Sequence, residues 1–163
     1  MKRLIFFIIG WIKIHLLTFI APQIFVAHGT SITPFISVLE HFKYLLDSKV
    51  VKSIGSIEIY YGIHRFIDNQ DSTYHKNYLF SDKISELLDY FKSTCKSDNT
   101  FQIHICESRS ETSNNMYVQD LILENIEDFK QKFEQQEALL YVCGNGHTMV
   151  KDLEKVLNEN VQR

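Results

Sequence analysis

Proline is scarce, with two residues in 163, while 45% of the chain is apolar and 23% charged, as in an ordinary globular protein. Positive charge is not in excess: the net charge is −3, which excludes a broad basic surface for nucleic acid. The three cysteines, Cys95, Cys106 and Cys143, form no CxxC pair, and their odd number speaks against a pure disulfide framework. None of the seven histidines shows HxxxH or HExxH spacing, so no metal site is expected. Hairpin signals between strands and internal repeats are also missing. At this length the chain fits one domain, by the rule of roughly 100–200 residues each.

A long uninterrupted apolar run is lacking as well. Met1-Lys2-Arg3 precedes an apolar stretch from Leu4 to Ile12, which Lys13 and His15 interrupt before it resumes to Ala21. A plain membrane span needs about 20 nearly uncharged residues. A charged start with a shorter apolar core instead suggests a signal peptide or signal anchor, or a leading strand or two packed on the domain. Residues 1–21 are therefore set apart from a domain over 22–163. The expected location is the cytoplasm, or a membrane surface if residues 4–21 act as a tether.

What the chain does have begins at residues 24–35. Ile24 to Ala27 is a short apolar run, Gly29-Thr30-Ser31 a small-residue turn, and Thr33-Pro34 the start of a helical pattern. Thr33 suits an N-cap and Pro34 the first helical position. Such a turn aims free N–H groups and a helix dipole at one spot, which favours an anion such as a pyrophosphate.

Beyond it, Phe35, Val38, Leu39, Phe42 and Leu46 make one stripe of a helix from Thr33 to Leu46. Further strands are read at 57–61, ended by Gly62, at 101–106 and at 138–143. Further helices are read at 82–96, 117–125, 127–136 and 148–159. Segments 117–125 and 127–136 could form one bent helix. Residues 64–77 form a long polar loop. Alternating strands and helices, with strands that are nearly continuous apolar runs, predict an α/β fold. It is a Rossmann-like parallel sheet of about four to five strands with helices on both faces. Ligands of such sheets sit beyond the C-terminal strand ends. Here those ends carry Ala27–Ser31, Gly62–Arg65, Glu107–Arg109 and Cys143–Gly146.

Ser108 and Arg109 offer a hydroxyl and a planar fork of donors for a phosphate, and Tyr117 a ring to stack on a heterocycle. Each also has a plain structural use, as a surface arginine and a core aromatic. Cys143 arrives at the sheet edge just before Gly144. It reads as a thiol facing a cofactor or as a small buried hydrophobe. A nucleophilic pair with His147 lacks a third, orienting group.

Taken in order, these segments resemble the NADPH-binding domain of the ferredoxin–NADP reductase superfamily, and most of all its diflavin reductases. The motif GPGTGIAPF is matched by Ala27-His28-Gly29-Thr30-Ser31-Ile32-Thr33-Pro34-Phe35. YYGCR is matched by Tyr60-Tyr61-Gly62-Ile63-His64-Arg65. SRE…KVYVQ is matched by Ser108-Arg109-Ser110 and Asn115-Met116-Tyr117-Val118-Gln119. YVCGDA…MAKDV is matched by Tyr141-Val142-Cys143-Gly144-Asn145-Gly146 and Met149-Val150-Lys151-Asp152-Leu153. The resemblance covers about residues 22–157. It implies that Gly29, Thr30 and Ser31 meet a pyrophosphate and that Arg65 lies in the cofactor site. It implies that Ser108 and Arg109 hold the 2′-phosphate of NADPH, with Tyr117 and Gln119 around the adenosine. Asp152 lies in the same nucleotide site, and Cys143 stands beside the nicotinamide during hydride transfer. A charge-assisted pair to the 2′-phosphate favours NADPH over NADH by about tenfold or more.

The departures are Ala27 and Ser31 for two glycines, Asn115 for a lysine and Asn145 for an aspartate. The family's last segment, whose terminal aromatic covers the flavin, has no counterpart after the last helix, and no FAD or FMN domain precedes residue 22. The implied role is thus an NADPH-binding module whose FAD sits on another domain or a separate flavin protein, and which does not turn over alone. The alternatives are a non-catalytic nucleotide-binding or interaction protein of the same fold, and an unrelated Rossmann-like enzyme such as a methyltransferase.

Overall fold

The structure is a computed structural model that describes residues 5–6, 19–64, 78–108, 116–145 and 148–161. Its strands are β1 (Ile5–Phe6), β2 (Gln23–His28), β3 (Ile57–His64), β4 (Phe101–Ser108) and β5 (Leu139–Cys143). Its helices are α1 (Thr33–Asp47), α2 (Ser81–Thr94), α3 (Val118–Glu124), α4 (Ile126–Lys130) and α5 (Met149–Asn160). The sheet order is β1-β5-β2-β3-β4, and every pairing is parallel. Among the described residues no helix is long and apolar enough to cross a membrane.

Period-2 alternation sends each strand's side chains to two cores. Phe25, Ile57, Ile59, Tyr61 and Tyr141 pack under α1 and α2. Ile24, Val26, Tyr60, Leu140 and Val142 pack under α3, α4 and α5. The apolar stripe read on α1 is the buried one: Phe35, Val38, Leu39, Phe42 and Leu46 all face the first core. With both faces covered, strand residues are apolar at consecutive positions, which explains the continuous runs in the sequence.

Three readings need correction. Gly62 does not end the second predicted strand. It sits inside the ladder, opposite His28 on one side and Cys106 on the other, and β3 runs on to His64. Thr33 is not an N-cap. A 3-10 turn over Gly29–Ile32 runs straight into α1, so Thr33 is already helical and its hydroxyl donates back to the Thr30 carbonyl at 2.9 Å. The segment read as 127–136 is α4 followed by a π-helical turn over Gln131–Gln135, separated from α3 at Asn125. Of the apolar N-terminal segment, Ile5 and Phe6 pair with Tyr141 and Val142 at the sheet edge. Residues 4 and 7–18 lie outside the described residues.

Beneath β3 and β4 lies a buried polar cluster. Glu58, only 1% exposed, accepts from the Lys132 ammonium, from Gln102 Nε2 at 2.7 Å and from Tyr60 Oη at 3.3 Å. Lys132 also reaches Asp128 one turn earlier, at 2.5 Å. Burial alone would lower the Lys132 pKa, but the bonds to Asp128 and Glu58 outweigh it and hold the ammonium above its usual range. The His104 ring stacks on Tyr60 at 4.7 Å, and its buried Nε2 has no partner. Burial lowers the His104 pKa, with Glu58 and Asp128 opposing and Lys132 assisting. A histidine buried neutral contributes fully above its unfolded pKa of about 6.5, and its contribution falls as pH drops below that value. Urea midpoints should therefore fall between pH 7.5 and 5.5, and His104→Phe should flatten that fall. An unchanged slope in the variant would remove His104 from the account.

Candidate nucleotide site

The strands β2, β3 and β4 step outward in one direction, and β5 then returns to the other side of β2. The β2–β5 boundary is thus the topological switch point, where open α/β sheets leave a crevice. At this boundary the backbone bends sharply. Gly29 adopts φ +56°, a left-handed conformation that a side chain disfavours. The Tyr61 hydroxyl donates to the Gly29 carbonyl at 2.9 Å and pins the turn to β3.

Ser31 closes the boundary. Its oxygen accepts from the His28 N–H at 2.8 Å. Its one hydroxyl hydrogen has two carbonyls in reach, His28 at 2.7 Å and Cys143 at 2.6 Å. The hydroxyl thus ties the turn to the end of β5. The side chain that the resemblance puts at a pyrophosphate is engaged with the protein's own backbone, while Thr30 beside it is exposed.

Cys143 sits partly buried at that same edge. Burial pushes its thiol above the ordinary value of 9.0, and the contact with Ser31 opposes this only in part. An activated nucleophile needs the opposite shift, so the chemistry fits a neutral thiol lying against a ligand. The His147 partner considered from the sequence lies outside the described residues. Cys106 is more deeply buried, and its thiol is pushed up to about 12.

Next to the switch point is an open cleft of about 520 Å³. The first residues of α3 and α5 form two of its walls: Tyr117, Val118 and Gln119 on one side, Thr148, Met149 and Asp152 on the other, with His28 and Asn145 between. Tyr117 is held by its N–H, which donates to the Asp120 carboxylate at 2.9 Å, and the residue remains 46% exposed. Three residues picked from the sequence, Tyr117, Gln119 and Asp152, therefore converge on one cleft from positions up to 35 residues apart. His28, Asn145 and Thr148 were not picked. His28 and Asn145 had registered only as positions within motifs. Ser108 is 1% exposed, and its hydroxyl donates to the Ile63 carbonyl at 3.3 Å, so it is tied into β3. Arg65 and Arg109 lie outside the described residues. Among the described residues no group of three or more His, Cys, Asp or Glu could hold a metal ion.

The family model of the oxidoreductase NAD-binding domain matches residues 25–155, which contain this turn, this cleft and all four motifs. The chain belongs to that family. Apicoplast ferredoxin–NADP reductase of Plasmodium falciparum is 32% identical over 128 residues, covering 75% of this chain and 30% of the relative. Methionine synthase reductase of Rattus norvegicus is 24% identical over 143 residues, covering 88% of this chain and 19% of the relative. This chain thus spans less than a third of the length of either. A solved structure of the Plasmodium falciparum reductase superposes with a TM-score of 0.61 at 28% identity, covering 88% of this chain and 47% of that one. A structure of the same reductase with 2′P-AMP superposes at 0.53 and 28% identity, covering 86% and 50%. The parallel α/β sheet predicted from the sequence is the fold of these reductases, and the diflavin resemblance agrees with the relatives found.

Proposed function

We propose that this domain binds NADPH and positions its nicotinamide at the β2–β5 edge for hydride transfer to FAD carried by another domain or protein. One observation carries the reading: the cleft that gathers Tyr117, Gln119 and Asp152 opens beside the switch point of an oxidoreductase NAD-binding domain.

The residues present suit a dinucleotide. The cleft volume lies within the range of roughly 300–1,000 Å³ typical of small-molecule sites. Its walls offer an aromatic face at Tyr117, amides at Gln119 and Asn145, a hydroxyl at Thr148 and a carboxylate at Asp152. A tyrosine face suits a flat base, amides and hydroxyls suit ribose, and the carboxylate can accept from ribose hydroxyls. The neutral Cys143 thiol can lie against the nicotinamide without attacking it. NADPH supplies the hydride and a flavin accepts it; the protein contributes orientation and exclusion of water. On this reading residues 22–163 are the nucleotide-binding unit, and the flavin-bearing partner completes the reaction. Ser108 and Arg109 provide 2′-phosphate selectivity, with the Ser108 hydroxyl turning from Ile63 to the ligand. Arg65 provides a further donor.

Calorimetry of the full chain with NADPH and NADH tests this. The expected result is tighter binding of NADPH, weakened about tenfold by Arg109→Ala with NADH affinity unchanged, from the loss of one charge-assisted pair. Binding of neither nucleotide would leave the alternative, a non-catalytic relative of the same fold.

A further inference from the structure

His28 belongs to the cleft, yet the motif match offers proline at its position and assigns it nothing. We infer that the His28 imidazole is a pyrophosphate-binding residue of this chain, donating an N–H to the dinucleotide as it passes the end of β2. The inference rests on the nucleotide reading above.

Three observations converge on it. First, His28 is the last residue of β2, flanked in the sheet by Gly62 of β3, while its neighbour Ala27 faces Cys143 of β5. A dinucleotide with its base against Tyr117 and its nicotinamide by Cys143 must carry its phosphates past this point. Second, the ring has a defined place. A Cβ at position 62 would lie 2.9 Å from His28 Cδ2 and 3.7 Å from Cys106 Sγ, so the imidazole lies across β3 on the face that carries Cys106. That is also the face of α3, whose core includes Cys106, Val118 and Leu121. The missing side chain at Gly62 is the space the ring uses. Third, His28 lines the cleft together with Gln119, Asn145, Thr148 and Asp152. Asp152 is the carboxylate among these lining residues and repels phosphate, which leaves the His28 side as the side for an anion. An imidazole N–H to a phosphate oxygen is a charge-assisted hydrogen bond, stronger than a neutral one. It also supplies a donor where Ser31, bound to the His28 and Cys143 carbonyls, directs its own hydroxyl into the protein.

This contact differs from the 2′-phosphate contacts in what it discriminates. It holds a group common to both nicotinamide dinucleotides, so it raises affinity without selecting between them. The test is calorimetry of the full chain with NADP⁺, NAD⁺ and adenosine 2′-monophosphate, which lacks the pyrophosphate. His28→Leu should weaken NADP⁺ and NAD⁺ alike by about tenfold or more and leave adenosine 2′-monophosphate within about threefold. His28→Gln, which retains an N–H donor, should recover most of the loss; its circular dichroism and thermal midpoint check that the fold is intact. NADP⁺ affinity unchanged in His28→Leu overturns the inference, as does an equal loss for adenosine 2′-monophosphate or an equal loss in His28→Gln. Failure of the unsubstituted chain to bind any of the three probes instead overturns the nucleotide reading itself.

Discussion

Lys132→Met is expected to destabilise the domain by about 3–5 kcal/mol, the usual cost of stripping one partner from a buried ion pair. The substitution nearly conserves volume, so the loss is electrostatic. It leaves Glu58, 1% exposed, with only the neutral donors of Gln102 and Tyr60. The carboxylate cannot move to water, because β3 holds it between Ile57 and Ile59, both fully buried. Adding Glu58→Gln should recover much of the loss at pH 7. Urea unfolding of the parent, the single and the double variant reads both outcomes. A loss below about 1 kcal/mol, the scale of an exposed pair, would show that the cluster is solvated in solution.

Phe25→Ala should cost a comparable amount, about 3–5 kcal/mol. Phe25 is fully buried in the central part of the sheet, and its ring stacks on Tyr141 at 5.1 Å and lies tilted against Phe35 at 4.8 Å. Those contacts join three elements that also build the site: β2 before the turn, α1 after it and β5 beside it. Removing the ring opens a void that neighbours anchored by their own strands can only partly fill. Phe25→Leu keeps most of the volume and should cost distinctly less. Because Phe35 lies in the first turn of α1, just beyond Ser31 and Ile32, Phe25→Ala should also loosen the turn and weaken nucleotide binding. Equal stability of the Ala and Leu variants in guanidinium unfolding would contradict the packing argument.

The fold was legible because its signals are local. The stripe of α1 and the apolar runs of β2 and β5 are fixed by periodicity within a dozen residues. β1 was harder, since two paired residues inside a longer apolar run leave no pattern of their own. The Glu58 cluster was illegible for another reason. Glu58 reads as one charge in a strand, and its counter-ion comes 74 positions later from a π-helical turn that no spacing announces. In the site, Tyr117, Gln119 and Asp152 could be named because their motifs were matched in order. His28 could not, since in a motif match it is only a departure, and its use depends on the empty space at Gly62. Ser31 read as a ligand contact, and only three-dimensional proximity to the Cys143 carbonyl reveals the bond that occupies it.

The pairing of β1 with β5 has a consequence in time. Ile5 and Phe6 are made before the strand they join, which contains Tyr141 and Val142. Synthesis at roughly 5–20 residues per second separates the two by on the order of ten seconds. Throughout that interval Ile5 and Phe6 lack their partner strand, whereas β2, β3 and β4 can assemble as they emerge. Their pairing thus waits until β5 has been made.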